Sequence, residues 1–541
     1  MVAVSMTTAT KGFLGWVERT GNKLPDPVFL FLYLMAGLVL LSVVAALAGV
    51  SAVHPTQKQP DGTAVVIGVE SLLSAKNVAR LWVEMPKTFT HFHPLGYVLV
   101  VMLGAGVAER TGLFASAMTL AVRRAPTSLL TPMVAFVAMV ANHAADAAYV
   151  VLIPLAGVLY AAAGRHPLAG IAAAFAGVSG GFSANVVPGQ LDALLFGITE
   201  QSAEALLPSF DANIAGNWYF IIAMTMTFLP VIWWVTDRVI EPRLGAWRDE
   251  APAEPPESGA EVAKGALGPE QTKGVRRAGL AALVVTVAWI FMTLGPGTPL
   301  IDEAACPDDK LALGKCSLQL RLTPLYQSLV AGFFALFLAA GWAYGTAAGT
   351  VKGHRDIVRM MSDAMKDLGY YLVLAFAAAH FVAMFNWSNL GLVSAVHGAG
   401  VIEKSGLPLP LLLGLVVVFS AVVNLFIGSA SAKWALLAPV MVPMLMLTGV
   451  SPEGTTAAYR VGDSVTNIVT PLMVYFPLIL IFCRRWQQDF GLGSLTAMMI
   501  PYSVWLLAVG LVLTIGWVYL DFNLGPGAPV RYRVPAAAVT P

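Results

Sequence analysis

The chain has 541 residues, of which 57% are apolar and only 12% charged, with a mean hydropathy of +0.74. A soluble protein carries about a quarter charged residues, so the composition points to an all-α polytopic membrane protein. A formal net charge of +1 with no basic patch argues against a nucleic-acid partner, and three cysteines are too few for a disulfide framework.

Residues 1–27 read as a cytoplasmic N-terminal segment. The first apolar run, Pro27–Val50, is 24 residues long and lacks a small-residue cleavage site, so it reads as a retained span. Uncharged runs of spanning length recur along the chain. They give nine crossings, near 28–50, 92–109, 167–187, 217–236, 278–296, 323–346, 368–388, 455–482 and 498–520. Two further apolar blocks, 128–163 and 409–447, are too long for one span. Each has a polar, small-residue middle, Asn142-His143-Ala144-Ala145-Asp146 in the first and Gly428-Ser429-Ala430-Ser431-Ala432-Lys433 in the second. Both read as re-entrant helical hairpins, because irregular backbone at membrane depth is tolerable only inside protein or beside a watery cavity. The first half is then 28–236, with its hairpin at 128–163 and a broken helix at 167–187. An Ala/Pro/Glu-rich cytoplasmic linker, 237–277, joins it to the second half, 278–523, whose hairpin is 409–447 and broken helix 455–482. Residues 524–541 form an external tail.

Lysine and arginine orient this layout. Cytoplasmic segments hold 20 of them and external segments 10, the loop 188–216 holding none, and the remaining two, Lys433 and Arg460, lie inside membrane segments. The asymmetry puts the N-terminus in the cytoplasm. Cys306 and Cys316 fall in an external loop, where they either pair or remain free thiols.

One stretch repeats after 285 residues without a gap: Val137–Val186 against Val422–Pro471. Pro154 meets Pro439, Gly164 meets Gly449, Pro167 meets Pro452 and Gly177 meets Gly462, while Ser179 meets Ser464. Glycine and proline fix backbone breaks rather than general hydrophobicity. Five crossings separate the hairpins, so they enter from opposite faces and the repeat is an inverted one. Paired, Gly/Pro-interrupted apolar segments in two halves are the sequence pointer to a secondary transporter's binding site.

Ionisable and amide groups at membrane depth are the candidate functional residues. After the first hairpin comes Gly177-Val-Ser-Gly-Gly-Phe-Ser-Ala-Asn185, followed by Asp192; after the second comes Arg460-Val-Gly-Asp-Ser-Val-Thr-Asn467, ending at Pro471. Both 177–185 and 462–470 are expected to unwind. Asn142, Asp146, Ser183 and Asn185 in the first half, and Ser429, Ser431, Asp463, Ser464, Thr466 and Asn467 in the second, are candidates for holding Na⁺ or a coupling proton. Close helix packing by small residues is the plainer alternative. Arg460 and Asp463 are three apart and able to pair along one helix. Arg460 and Lys433 suit an anionic substrate, and Trp434 either stacks on an aromatic one or anchors an interface. Asn424 lies in the descending arm of the second hairpin, where its amide needs a partner.

The runs Asp146-Ala-Ala-Tyr-Val-Val-Leu-Ile-Pro-Leu-Ala-Gly, Ser431-Ala-Lys-Trp-Ala-Leu-Leu-Ala-Pro and Tyr459-Arg-Val-Gly-Asp-Ser-Val-Thr-Asn-Ile-Val-Thr-Pro resemble the AbgT family of p-aminobenzoyl-glutamate transporters. The resemblance spans about residues 12–523. It implies nine transmembrane helices with two re-entrant hairpins, an ion-transporter-superfamily fold, and a homodimer among the lipids of the bacterial inner membrane. It marks Asp192, Asn424, Ser431, Trp434, Pro452, Arg460, Asp463 and Pro471 as functional. The implied activity is gradient-driven movement of p-aminobenzoyl-glutamate or of related p-aminobenzoate- and sulfonamide-like aromatic anions. Import and export stay open, as does the coupling ion, and no organic cofactor is implied. A di- or tricarboxylate symporter is the alternative substrate class. A channel would need a continuous polar lining. An intramembrane aspartyl protease would need Gly-x-Gly-Asp, but position 460 is Arg, which would hold Asp463 ionised.

Overall fold

The computed structural model describes residues 26–58, 63–123, 126–144, 148–208, 210–247, 267–294, 297–304, 321–470, 472–473 and 475–533. Asp146, Pro471, Cys306, Cys316, much of the expected linker and both chain ends lie outside the described residues.

Helix α1, Pro27–Leu47, starts on an Asp26 cap whose carboxylate accepts from the Val28 N–H at 2.8 Å. A two-stranded antiparallel sheet follows, β1 (Ser51–Lys58) on β2 (Ala64–Gly68), with Ser51 opposite Gly68 and Val53 opposite Val66. It lies between the expected crossings 28–50 and 92–109, where its Val and Ile residues favour the pleated surface. After α2 (Ala75–Val83) and α3 (Met85–Thr90), helix α4 (His93–Arg110) turns by 66° into α5 (Leu113–Arg123). Gly112, at φ +90°, makes that corner.

The block expected as the first hairpin contains α6 (Leu130–Val140), a tight turn Ala141–Ala144, a wide turn Ala148–Leu152 and α7 (Ile153–Ala162). Helix α8 (Pro167–Phe175) runs on through a wide turn, Ala176–Gly180, before the chain loses regular structure up to α9 (Gln190–Glu204). Then come α10 (Trp218–Val235), α11 (Pro269–Phe291), α12 (Leu329–Ala348), α13 (His354–Asp367), α14 (Gly369–Trp387) and α15 (Leu390–Ser405). The second block holds α16 (Leu409–Asn424) and α17 (Ala430–Leu447). Helix α18 (Pro452–Val465), α19 (Phe476–Arg484) and α20 (Leu492–Leu520) complete the described chain.

Seven of the described helices are long and apolar enough to cross a membrane, eight when the bent pair α4–α5 counts as one span. Six of the nine expected crossings are among these seven and another is the bent pair. The crossings 167–187 and 455–482, expected as broken helices, are built from short, interrupted helices. Helix α17, expected as one arm of a hairpin, is by length and composition able to cross.

Two expectations change in detail. The loop 188–216 contains α9, with ten buried residues including Asp192 and Glu200; its acids and amides hid it from a hydropathy reading. Residues 462–465 are the last turn of α18, so the second break starts at Thr466, and in the first half Gly177–Gly180 stay coiled as a wide turn.

All nine residues of α8 and all fourteen of α18 are buried. These repeat-related helices touch protein on every side, the condition for irregular backbone at membrane depth. A Cβ on Gly177 would lie 2.9 Å from the Ala135 carbonyl, and one on Gly462 would lie 2.8 Å from the Ala421 amide. Each glycine of the duplicated pair therefore lets a broken helix press against the first arm of the preceding block, α6 or α16.

Candidate functional site

Helix α18 carries the centre of the site. A Ser451 cap, accepting from the Gly454 N–H at 2.9 Å, and Pro452 at its first position fix where the helix starts. That register sets Tyr459 and Arg460 about one turn before Asp463. Arg460, 1% exposed, donates through Nη1 to Asp192 Oδ1 at 2.8 Å. The other Asp192 oxygen caps α9, accepting from the Gly189 N–H at 2.8 Å. A cation of the second half is thus held by an acid of the first, across 268 residues of chain.

The expected pairing of Arg460 with Asp463 is replaced by this one. Asp463 is paired instead with Lys433, the ammonium contacting both Asp463 Oδ1 and Asn424 Oδ1. Spacing along one helix made Arg460–Asp463 available, but α9 and α17 bring a partner to each residue from outside the helix. The Asn424 amide donates to the Asp463 carbonyl at 2.6 Å, to Thr466 Oγ1 at 2.9 Å and to Asn467 Oδ1 at 2.9 Å. It ties the end of α16 to the start of the break after α18. Two buried cations therefore face two buried acids. In this arrangement both ammonium and guanidinium are matched internally, so the expected direct neutralisation of substrate carboxylates by Lys433 and Arg460 requires displacing Asp463 or Asp192.

Trp434 is fully buried and is no interfacial anchor. Its ring stacks on Tyr459, with centroids 4.3 Å apart, and its Nε1 donates to Thr199 Oγ1 at 2.9 Å. Thr199 and Thr456 share a hydroxyl hydrogen bond of 2.8 Å, joining α9 to α18. One face of the indole is therefore already occupied. Sequence reasoning missed Tyr459, Thr199 and Glu200, all buried here; the four-residue spacing from Tyr459 to Asp463 was the available signal for the first. Tyr459 donates to the Ala430 carbonyl at 2.7 Å, beside the break between α16 and α17.

The first-half candidates gather at the other break. Asn142 and Asn185 both give amide protons to the Met139 carbonyl, at 3.0 and 3.4 Å. The Ser183 N–H donates to Ser464 Oγ at 3.1 Å, so the two broken segments touch. The Ser183 hydroxyl, 2% exposed, has no hydrogen-bond partner among the described residues. Ser429 and Ser431 bond to each other at 3.2 Å, and Ser429 caps α17. A cavity of about 10 Å³ reaches Ser431, bounded by Phe92, Leu194, Tyr371 and Ala435. The centre is closed in this conformation. Larger cavities, about 380 and 590 Å³, lie at the far end of α9 and along the small sheet, sharing Ala205, Asn389 and Leu392.

Comparison with known proteins fits this geometry. A family described as "AbgT putative transporter family" matches residues 12–532. The p-aminobenzoyl-glutamate transport protein of Escherichia coli is 34% identical over 528 residues, covering 97% of this chain and 98% of its own. The YdaH transporter of Alcanivorax borkumensis, whose crystal structure is described as revealing an unusual topology, superposes with a TM-score of 0.82 at 40% identity, covering 93% of this chain and all of that one. MtrF of Neisseria gonorrhoeae, described as illuminating a class of antimetabolite efflux pumps, gives 0.86 at 39% identity, over 96% of this chain and all of its own. These relatives are transport proteins and pumps rather than enzymes, and the chain is a multi-pass membrane protein belonging to the AbgT transporter family.

Proposed function

We propose that the chain is a secondary active transporter of p-aminobenzoyl-glutamate or related p-aminobenzoate- and sulfonamide-like anions. It works by alternating access between inverted halves, as a homodimer in a bacterial inner membrane with its N-terminus in the cytoplasm. The observation that carries this reading is the pair of buried ion pairs, Arg460–Asp192 and Lys433–Asp463, where two broken helices meet. Buried ion pairs add little stability over apolar packing, and at membrane depth they mark pathways. An anionic substrate entering here competes with Asp192 for Arg460. Since Arg460–Asp192 joins the halves, that competition loosens one contact between them and links loading to movement. The flat ring is accommodated by displacement around Trp434 and Tyr459.

A proton or sodium gradient supplies the energy. The Ser183 hydroxyl, with Asn142 and Asn185 beside it, supports a cation at the first-half break, where neutral oxygens suit a hard monovalent ion. Proteoliposomes holding the purified protein test the whole reading, with sodium and pH gradients imposed separately. The expected result is movement of labelled p-aminobenzoyl-glutamate against its gradient under one of them. Flux that only ever equilibrates the solute would make the protein a channel.

A further inference from the structure

The two breaks differ in how they stand toward a cation. At the second break, oxygens of Asn424 and Asp463 converge on the Lys433 ammonium, and Lys433 and Asp463 are 1% and 2% exposed. Carboxylate, amide and carbonyl oxygens are the donors a hard monovalent cation takes, and an ammonium carries the same single charge. A free cation placed beside Asp463 would also lie beside that ammonium, and like charges repel strongly where water is excluded. At the first break the 285-residue offset sets Ala148 and Val178 at the positions of Lys433 and Asp463. Both are buried. The counterparts of the acid and its ammonium are thus apolar, and among the described residues there the Ser183 hydroxyl and His143 Nε2 are left without a partner.

We infer that Lys433 is a built-in cation: its ammonium fills the ion position of the second half, so that no alkali-metal ion binds beside Asp463 and ion binding is left to the first-half break. The residues at the second break therefore do not fit a free Na⁺ while Lys433 is in place. Asp463 and Asn424 hold the ammonium, while Thr466 and Asn467 accept from the Asn424 amide. Lys433 is on this view the residue that sets how many cations one chain binds.

This inference deepens the transport reading by restricting its ion sites, but its test is equilibrium binding. Radiosodium binding to the full-length protein in nanodiscs gives the count per chain. Lys433→Ala should bind one Na⁺ more than the parent. It should also melt at a higher temperature in sodium chloride than in N-methylglucamine chloride of equal ionic strength, by a margin the parent lacks. Lys433→Ala with Asp463→Asn should lose both gains. Asp463→Asn alone should keep the parent's sodium count. An unchanged count in folded Lys433→Ala overturns the inference, as does loss of one Na⁺ in Asp463→Asn. If Lys433→Ala does not fold in either salt, the Asp463→Asn count decides. A protein that binds as stated yet moves no substrate would overturn the transport reading alone.

Discussion

Among the described residues Arg460 has one carboxylate partner and an Nε with no partner, although only 1% of its side chain is exposed. A fork with spare donors is suited to receiving a second carboxylate, and lysine reproduces neither its planarity nor its reach. Arg460→Lys should cut transport at least about tenfold, equivalent to roughly 1.4 kcal/mol, though the charge survives; transport equal to the parent's in proteoliposomes would remove Arg460 from substrate handling. Trp434 separates two roles in one side chain. Trp434→Phe keeps the stack on Tyr459 and loses the Thr199 hydrogen bond, a change of about 1 kcal/mol. Trp434→Ala empties a fully buried volume and should destabilise by about 3–5 kcal/mol. Thermal melts in detergent order the three proteins; equal melting of the Ala and Phe variants would refute the packing role. These residues were legible in the sequence because charges and an indole in apolar sequence are few. Their partners were not, since Asp192 lies 268 residues from Arg460 and the pairing depends on where α9 folds.

At the scale of elements, the glycines are the most informative positions. The coincidence of Gly177 with Gly462 read as a shared backbone break, yet both residues sit in coiled turns and serve close approach instead. Val417, Ser420 and Ala421 of α16 crowd Gly462, and Ala135 and Ala138 of α6 crowd Gly177. The periodicity of the apolar runs located the long helices, whereas the breaks shifted by a few residues because tertiary packing keeps α18 coiled through Val465. Gly462→Ala would push α18 off α16 and disturb the Asn424 bonds to Asp463, Thr466 and Asn467. We expect it to destabilise by about 1–3 kcal/mol and to reduce transport. Gly279→Ala is the control, because a Cβ there meets nothing within 4 Å and alanine favours the helix. If the two variants melt alike, the close-approach account fails. A separate cluster ties the Arg165 end of the first block: Arg165 is paired with Asp237 at 2.6 Å and with Glu241, and its guanidinium lies over Tyr160 at 4.5 Å from the ring centre. That network fastens α6 and α7 to the turn that follows α10.

For the whole molecule, the inverted arrangement makes a claim about sides. The first break touches the last turn of α18 through Ser183 and Ser464, and Arg460–Asp192 bridges the halves, so access from either face requires the halves to part on that face alone. On the proposed topology, with hairpins entering from opposite sides, the Asn142 region faces the cytoplasmic route and the Ser431 region the external one. In a background without Cys306, Cys316 and Cys483, single cysteines at Asn142 and Ser431 would report this with a membrane-impermeant thiol reagent. In sealed vesicles of known orientation, Ser431→Cys should react from the external side and Asn142→Cys from the cytoplasmic side. Addition of p-aminobenzoyl-glutamate should alter the two rates in opposite directions, because opening one route closes the other. Both positions are half-buried, so each rate should follow the opening of its own route. Reaction of both cysteines from one face would abolish the inverted repeat, and rates that rise together on adding substrate would replace alternating access with a continuous pore.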